Sequence, residues 1–195
     1  TEAQQFTDDM AEQIGQAVAA DSRIRAIGEI GLDFYWKDCP PEIQKEAFAK
    51  QLSLARRLSL PVVVHCRDAE TDTFAILESQ GFAGYPLLWH CFGGNSAMAE
   101  RIIGNGWHLS VPGPVTFPAN TELRDAVARI PADRLLVETD CPYLSPMPLR
   151  GKRNEPSYTV FTVRAMAEAR GENPEELWRT CGDNARRFFG LPAQE

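Results

Sequence analysis

Apolar and polar positions alternate at two periods along this chain, and the switches between them mark its elements. Met10, Ile14, Ala17 and Val18 fall on one face at helical spacing, with Thr7 as an N-cap and Asp8 and Asp9 in the first turn. The run Ile24–Ile30 predicts a strand. Pro40-Pro41-Glu42 opens a longer helix with the stripe Ile43, Ala47, Phe48, Leu54, Ala55 and Leu58. Strands follow at Pro61–His65, Pro86–His90, Trp107–Val111 and Arg134–Thr139. Between them lie helices over Glu70–Gln80, closed by Gly81, over Ala97–Ile103, and from the Asn120 cap through Ile130. Cys141–Pro156, rich in proline, glycine and basic residues, reads as a loop. Two helices end the chain, Ser157–Ala169 and Pro174–Phe189, the second capped by Asn173.

Strands separated by helices pair in parallel, because a parallel neighbour needs a crossover. Continuous apolar strands such as Val62–Val64 and Leu135–Val137 suit a sheet covered on both faces. The class is therefore α/β, built either as an open doubly wound sheet or as a (β/α)8 barrel. The 195 residues read as one domain, residues 1–195. They fall short of the about 250 typical of a complete barrel.

With 44% hydrophobic residues the chain can fill a core, and no apolar run reaches the ~18 residues of a membrane span. The opening Thr1–Gln5 is not a signal peptide. Five scattered cysteines read as reduced thiols of a cytoplasmic protein rather than a disulfide framework. A net charge of −7 excludes a broad basic surface that holds nucleic acid by counterion release. A phosphate-bearing partner would have to be held locally, by a metal or a short basic loop.

The ends of the strands carry the chemistry. Glu29 stands inside the apolar run Ile27–Ile30; Val62–Val64 ends in His65, Leu87–Trp89 in His90, and Leu135–Val137 leads through Glu138 and Thr139 to Asp140. In a parallel barrel such ends converge on the catalytic face. Two imidazoles and two carboxylates suit one or two divalent cations such as Zn²⁺ or Mn²⁺. A single histidine at a strand end is also an ordinary polar terminus; it is the repetition over separate strands that points to a site. Glu29, if buried, would need a cation or donors to offset its desolvation. Glu138 shares Asp140's direction by the period of two, and either orients a ligand or pairs with an arginine. Cys66, Cys91 and Cys141 follow the candidate ligands and are expected to point outward as small buried hydrophobes. His108 reads as structural. Arg150, Lys152 and Arg153 could embrace a phosphate or form a solvated turn. Gly93-Gly94 admits either a ligand or a tight turn.

Five segments together resemble the TatD family of metal-dependent deoxyribonucleases and related hydrolases, a branch of the amidohydrolase-like TIM barrels. They are Gly28–Tyr35, Pro61–Arg67, His90–Gly94, Glu138–Leu144 and Arg150–Pro156, in matching order over nearly the whole chain. The resemblance implies that Glu29 bridges two metal ions, that His65 and His90 are ligands, and that Asp140 is a metal-bound carboxylate that helps activate water. It makes Glu29 and Asp140 the catalytic carboxylates and places Arg150, Lys152, Arg153 and Asn154 against substrate. It further implies a barrel of the (β/α)8 TIM type, two divalent cations per complete site (Mg²⁺, Mn²⁺ or Zn²⁺), and DNA trimmed from its strand ends.

The family opens on a strand bearing a His-x-His pair, yet no histidine precedes His65 here. The expectation is a barrel incomplete at its N-terminus by one or two βα units, with the gap filled by sequence outside this chain or by another chain. Leu149 stands where many relatives carry histidine. Two other readings use the same residues: a barrel metallohydrolase for a small ester, amide or lactone, and a non-catalytic remnant lacking its first metal-ligand strand.

Overall fold

Helices and strands alternate along the chain in this computed structural model, which describes residues 2–192. The helices are α1 (Asp8–Ala20), α2 (Pro41–Leu58), α3 (Glu70–Ser79), α4 (Ser96–Gly104), α5 (Thr121–Arg129), α6 (Thr159–Arg170) and α7 (Pro174–Phe189). The strands are β1 (Ile27–Asp33), β2 (Val62–Arg67), β3 (Leu87–Trp89), β4 (His108–Val111) and β5 (Leu135–Val137). They hydrogen-bond in chain order, β1-β2-β3-β4-β5, with β1–β2 and β4–β5 parallel. A doubly wound sheet reverses its order at a switch point, whereas a barrel-type sheet adds each strand beside the last. The fold is therefore α/β of the TIM-barrel type. Two compact units, Thr1–Leu88 and Trp89–Glu195, divide within β3.

In the first unit, Thr7 Oγ1 accepts the Met10 N–H at 3.2 Å and starts α1 as its sequence predicts, but none of the α1 residues is fully buried. α2 packs on β1, and its Phe48, Leu52 and Ala55 are fully buried. Its buried stripe takes in Leu52 and leaves Ile43 exposed, a small rotation from the predicted face. β1 starts three residues later than its hydropathy suggests. Arg23 folds back on Asp21 in a local turn, and the strand instead runs on to Asp33. There the buried Gln44 amide of α2 replaces a neighbouring strand: its Oε1 accepts the Asp33 N–H at 2.8 Å and its Nε2 donates to the Asp33 carbonyl at 2.9 Å. The backbone N–H and carbonyl of Asp33 are thus both paired with a side chain at the strand end.

Opposite His65 in the register stands Gly31, at φ +147°. A Cβ there would overlap the His65 carbonyl oxygen, so only glycine lets β1 lie this close to the His65 backbone.

The second unit buries Trp107, Leu109, Val127, Leu135 and Met166 completely. α7, starting at the Asn173 cap and Pro174 as predicted, packs on β5. The fully buried Asn184 on α7 donates to the carbonyls of Ala132 at 2.7 Å and Leu135 at 2.6 Å. Each carbonyl would cost about 1–3 kcal/mol if left buried and unpaired, so Asn184 fixes the approach to β5. His108 packs edge-on against Phe188 at 5.4 Å, and burial lowers its pKa, in keeping with a structural histidine.

Candidate metal centre

Glu29 and His65 come from adjacent strands of the first unit. Between Ile27 and Ile30 the β1–β2 register shifts: three steps along β1 match two along β2, from Val62 to Val64. Such a bulge re-aims side chains. Glu29 consequently stands with its side chain 51% exposed, not buried in the apolar run as its sequence suggests, and needs no cation merely to offset desolvation. Its Oε2 lies 3.9 Å from His65 Nδ1. On the other side of the imidazole, His65 Nε2 sits 3.0 Å from Asp33 Oδ2. Burial pushes the Asp33 carboxyl up, but the Trp36 N–H, His65 and the Tyr35 N–H outweigh it and hold the group below its ordinary value. An ionised Asp33 thereby fixes the ring of His65. Glu29, Gly31, Asp33 and His65 line a cavity of about 420 Å³, with Phe6 and Gln51 on its wall.

His90 and Glu138 form the corresponding arrangement in the second unit. His90 follows β3 and is buried; its Nδ1 meets Glu138 Oε2 at 3.0 Å. The same oxygen accepts the Cys91 N–H at 3.1 Å and the Ser110 hydroxyl from β4. Glu138 therefore pairs with a histidine and not with an arginine. Burial raises its pKa, yet the His90 contact and charge, Ser110 and the Cys91 N–H outweigh it and keep the carboxylate ionised. The second oxygen, Oε1, is buried and has no hydrogen-bond partner among the described residues. An ionised, buried oxygen without a donor is costly, and a cation would satisfy it. Ligand atoms of His90, Cys91 and Glu138 all lie within 4.8 Å of one another. Imidazole nitrogen, carboxylate oxygen and thiol sulfur in that proximity fit a divalent cation.

Asp140 lies beyond β5, which stops at Val137, so the alternation expected to align it with Glu138 does not reach it. It is half-buried, takes a left-handed backbone at φ 54° and accepts the Tyr143 N–H on its carbonyl at 2.9 Å. Asp140 is absent from the His90–Cys91–Glu138 group.

The basic loop is fastened to this strand end by Asn154. That residue is buried, and its amide donates to the carbonyls of Thr139 at 2.8 Å and Tyr143 at 2.6 Å. Its side chain is spent on the backbone, so it positions the loop and has no donor left for a ligand. Arg150, Lys152 and Arg153 are exposed, and the Arg150 guanidinium lies 4.3 Å over the Phe117 ring. Gly94 is crowded by the Met98 side chain, while Gly93 has open space beside it.

Of the three cysteines that follow candidate ligands, Cys66 lies half-buried within β2. It accepts from Thr73 Oγ1 at 3.4 Å, and burial pushes its thiol up to about 12. Cys91 is half-buried beside His90 and Cys141 is exposed. Inward–outward alternation holds only within a strand; Cys66 lies in β2, whereas β3 and β5 have ended before Cys91 and Cys141. Asp33 and Ser110 are functional neighbours that the hydropathy pattern did not single out. Asp33 fell beyond the predicted end of its strand, and Ser110 was a lone hydroxyl within an apolar one.

A model of the TatD-related DNase family matches residues 1–190. The uncharacterized metal-dependent hydrolase YabD of Bacillus subtilis is 42% identical over 174 residues, covering 89% of this chain and 68% of that protein. The 3'-5' ssDNA/RNA exonuclease TatD of Pectobacterium carotovorum is 42% identical over 195 residues, covering 97% of this chain and 75% of that protein. Among solved structures, the TatD homologue YJJV of Escherichia coli superposes with a TM-score of 0.88 at 30% identity, covering 97% of this chain and 73% of that one. This chain therefore belongs to the TatD-related DNase family and is a metal-dependent hydrolase of that family.

Proposed function

We propose that this chain, as one hydrolase domain over residues 1–195, cleaves phosphodiester bonds at the ends of DNA strands in the cytoplasm with the help of divalent cations, Mg²⁺, Mn²⁺ or Zn²⁺, two per complete site. Glu29, His65, His90 and Asp140 are the residues that would hold the cations, and Glu29 would be shared between them. The observation that carries this reading is that His65 and His90, each at a strand end, are each held at 3.0 Å by a carboxylate, Asp33 and Glu138. Cations bound there would lower the pKa of water toward neutrality and offset charge on the phosphate.

The protein's own groups do the rest. Asp33 and Glu138 each hold one ring nitrogen of a histidine, which fixes tautomer and direction for the other nitrogen. The Asp140 carboxylate accepts a proton from the attacking water. Arg150, Lys152 and Arg153 donate charge-assisted hydrogen bonds to non-bridging phosphate oxygens, and Asn154 keeps their loop against the β5 end. Local cations and one short basic loop reconcile a polyanionic substrate with a chain of net charge −7.

The test is hydrolysis of single-stranded DNA, a simple phosphodiester and a lactone, with each of the three cations and after chelation. Cation-dependent release of nucleotides from DNA ends, lost on chelation and restored by metal, is the expected result. Hydrolysis of the lactone alone would overturn the reading.

A further inference from the structure

Two large aromatic side chains stand half in solvent just after β1, Tyr35 at 49% and Trp36 at 50% exposure. Their rings meet edge to face at 5.0 Å. Arg67, the last residue of β2, lays its guanidinium carbon 3.8 Å from the Tyr35 ring centre and 6.0 Å from that of Trp36. Arg67 makes no ion pair among the described residues, so its charge is set on the ring faces instead of against a carboxylate.

The cluster is held firmly. Asp33 Oδ1 accepts the Tyr35 N–H at 3.0 Å and the Trp36 N–H at 3.2 Å. The Phe34 N–H bonds the Arg67 carbonyl at 2.9 Å. The other oxygen of the same carboxylate, Asp33 Oδ2, meets His65. One buried aspartate thus fixes the aromatic loop and a candidate metal ligand in a single frame.

From this juxtaposition we propose that Tyr35, Trp36 and Arg67 form a stacking platform for an unpaired nucleobase of a single-stranded nucleic acid. The proposal rests on the nuclease reading above and adds to it a position that would bind a base. An exposed ring and a guanidinium plane both offer flat faces to a base, and such stacking tolerates any sequence. Bases inside a duplex have both faces covered by their neighbours, so an interior paired base cannot use the platform. A cationic ligand is disfavoured, because Arg67 already occupies the cation position over Tyr35. Stacking also gives a protein of net charge −7 affinity that does not depend on a basic surface.

The experiment compares KM for a short oligothymidylate and for an abasic oligonucleotide of equal length, in Mn²⁺ at fixed salt. Trp36→Ala is expected to raise KM for oligothymidylate about tenfold or more, with no comparable rise for the abasic strand. Trp36→Phe, which keeps a ring, restores most of the loss. If both substrates weaken equally in Trp36→Ala, or neither changes, the platform is refuted while the nuclease reading stands. If the unsubstituted protein hydrolyses neither strand with any of the three cations, the nuclease reading fails and the platform with it.

Discussion

Asp140→Asn is expected to slow phosphodiester hydrolysis by about a hundred- to ten-thousand-fold, the range for loss of a positioned proton acceptor. Asparagine preserves the size of the side chain and tolerates the left-handed backbone that residue 140 adopts at φ 54°. The Tyr143 N–H still finds the carbonyl of residue 140, so the turn after β5 survives. What disappears is the negative charge and its capacity to take a proton. An unchanged melting temperature together with the collapse in rate would assign the loss to chemistry. A variant with normal rate and normal metal content would remove Asp140 from the mechanism.

Glu138→Ala carries the second large effect. Three groups converge on one carboxylate oxygen, His90 Nδ1, the Ser110 hydroxyl and the Cys91 N–H. Without it the His90 ring loses the partner that fixes its tautomer, and the removal of such orienting carboxylates typically costs about 10–100-fold in metal affinity. The backbone N–H of Cys91 loses its carboxylate acceptor at 3.1 Å, and a hydrogen bond to a charged group contributes about 1.5–3 kcal/mol. Calorimetric titration with Mn²⁺ or Zn²⁺ reads the first loss, and urea unfolding in chelator reads the second. Glu138→Gln keeps an acceptor oxygen and falls between alanine and the natural residue. Metal affinity indifferent to all three side chains would show that the pairing with His90 serves packing alone.

Hydropathy exposed the skeleton of this molecule because each β-strand is a short apolar run broken by polar caps. His65 and His90 stood out as polar residues ending such runs, and both stand beside carboxylates in the structure. The identity of those carboxylates was less legible. Asp33 ends β1 in register with Arg67 and is held on its backbone by Gln44, eleven residues on, a contact no local pattern encodes. Glu29 is exposed because the register slips by one residue between Ile27 and Ile30, and a bulge leaves no mark in hydropathy. The basic run 150–153 was visible as charge, yet the buried role of Asn154 beside it depends on carbonyls eleven and fifteen residues away. Strand order, too, is a tertiary fact: alternating strands and helices permit both open and barrel-type sheets until the pairing is known.

The most direct test of the proposed centre is anomalous diffraction from crystals of this protein grown with Mn²⁺. The account predicts manganese peaks within coordination distance of the side chains of Glu29, His65, His90 and Asp140. Peaks elsewhere, with those four side chains bound to no metal, would contradict it.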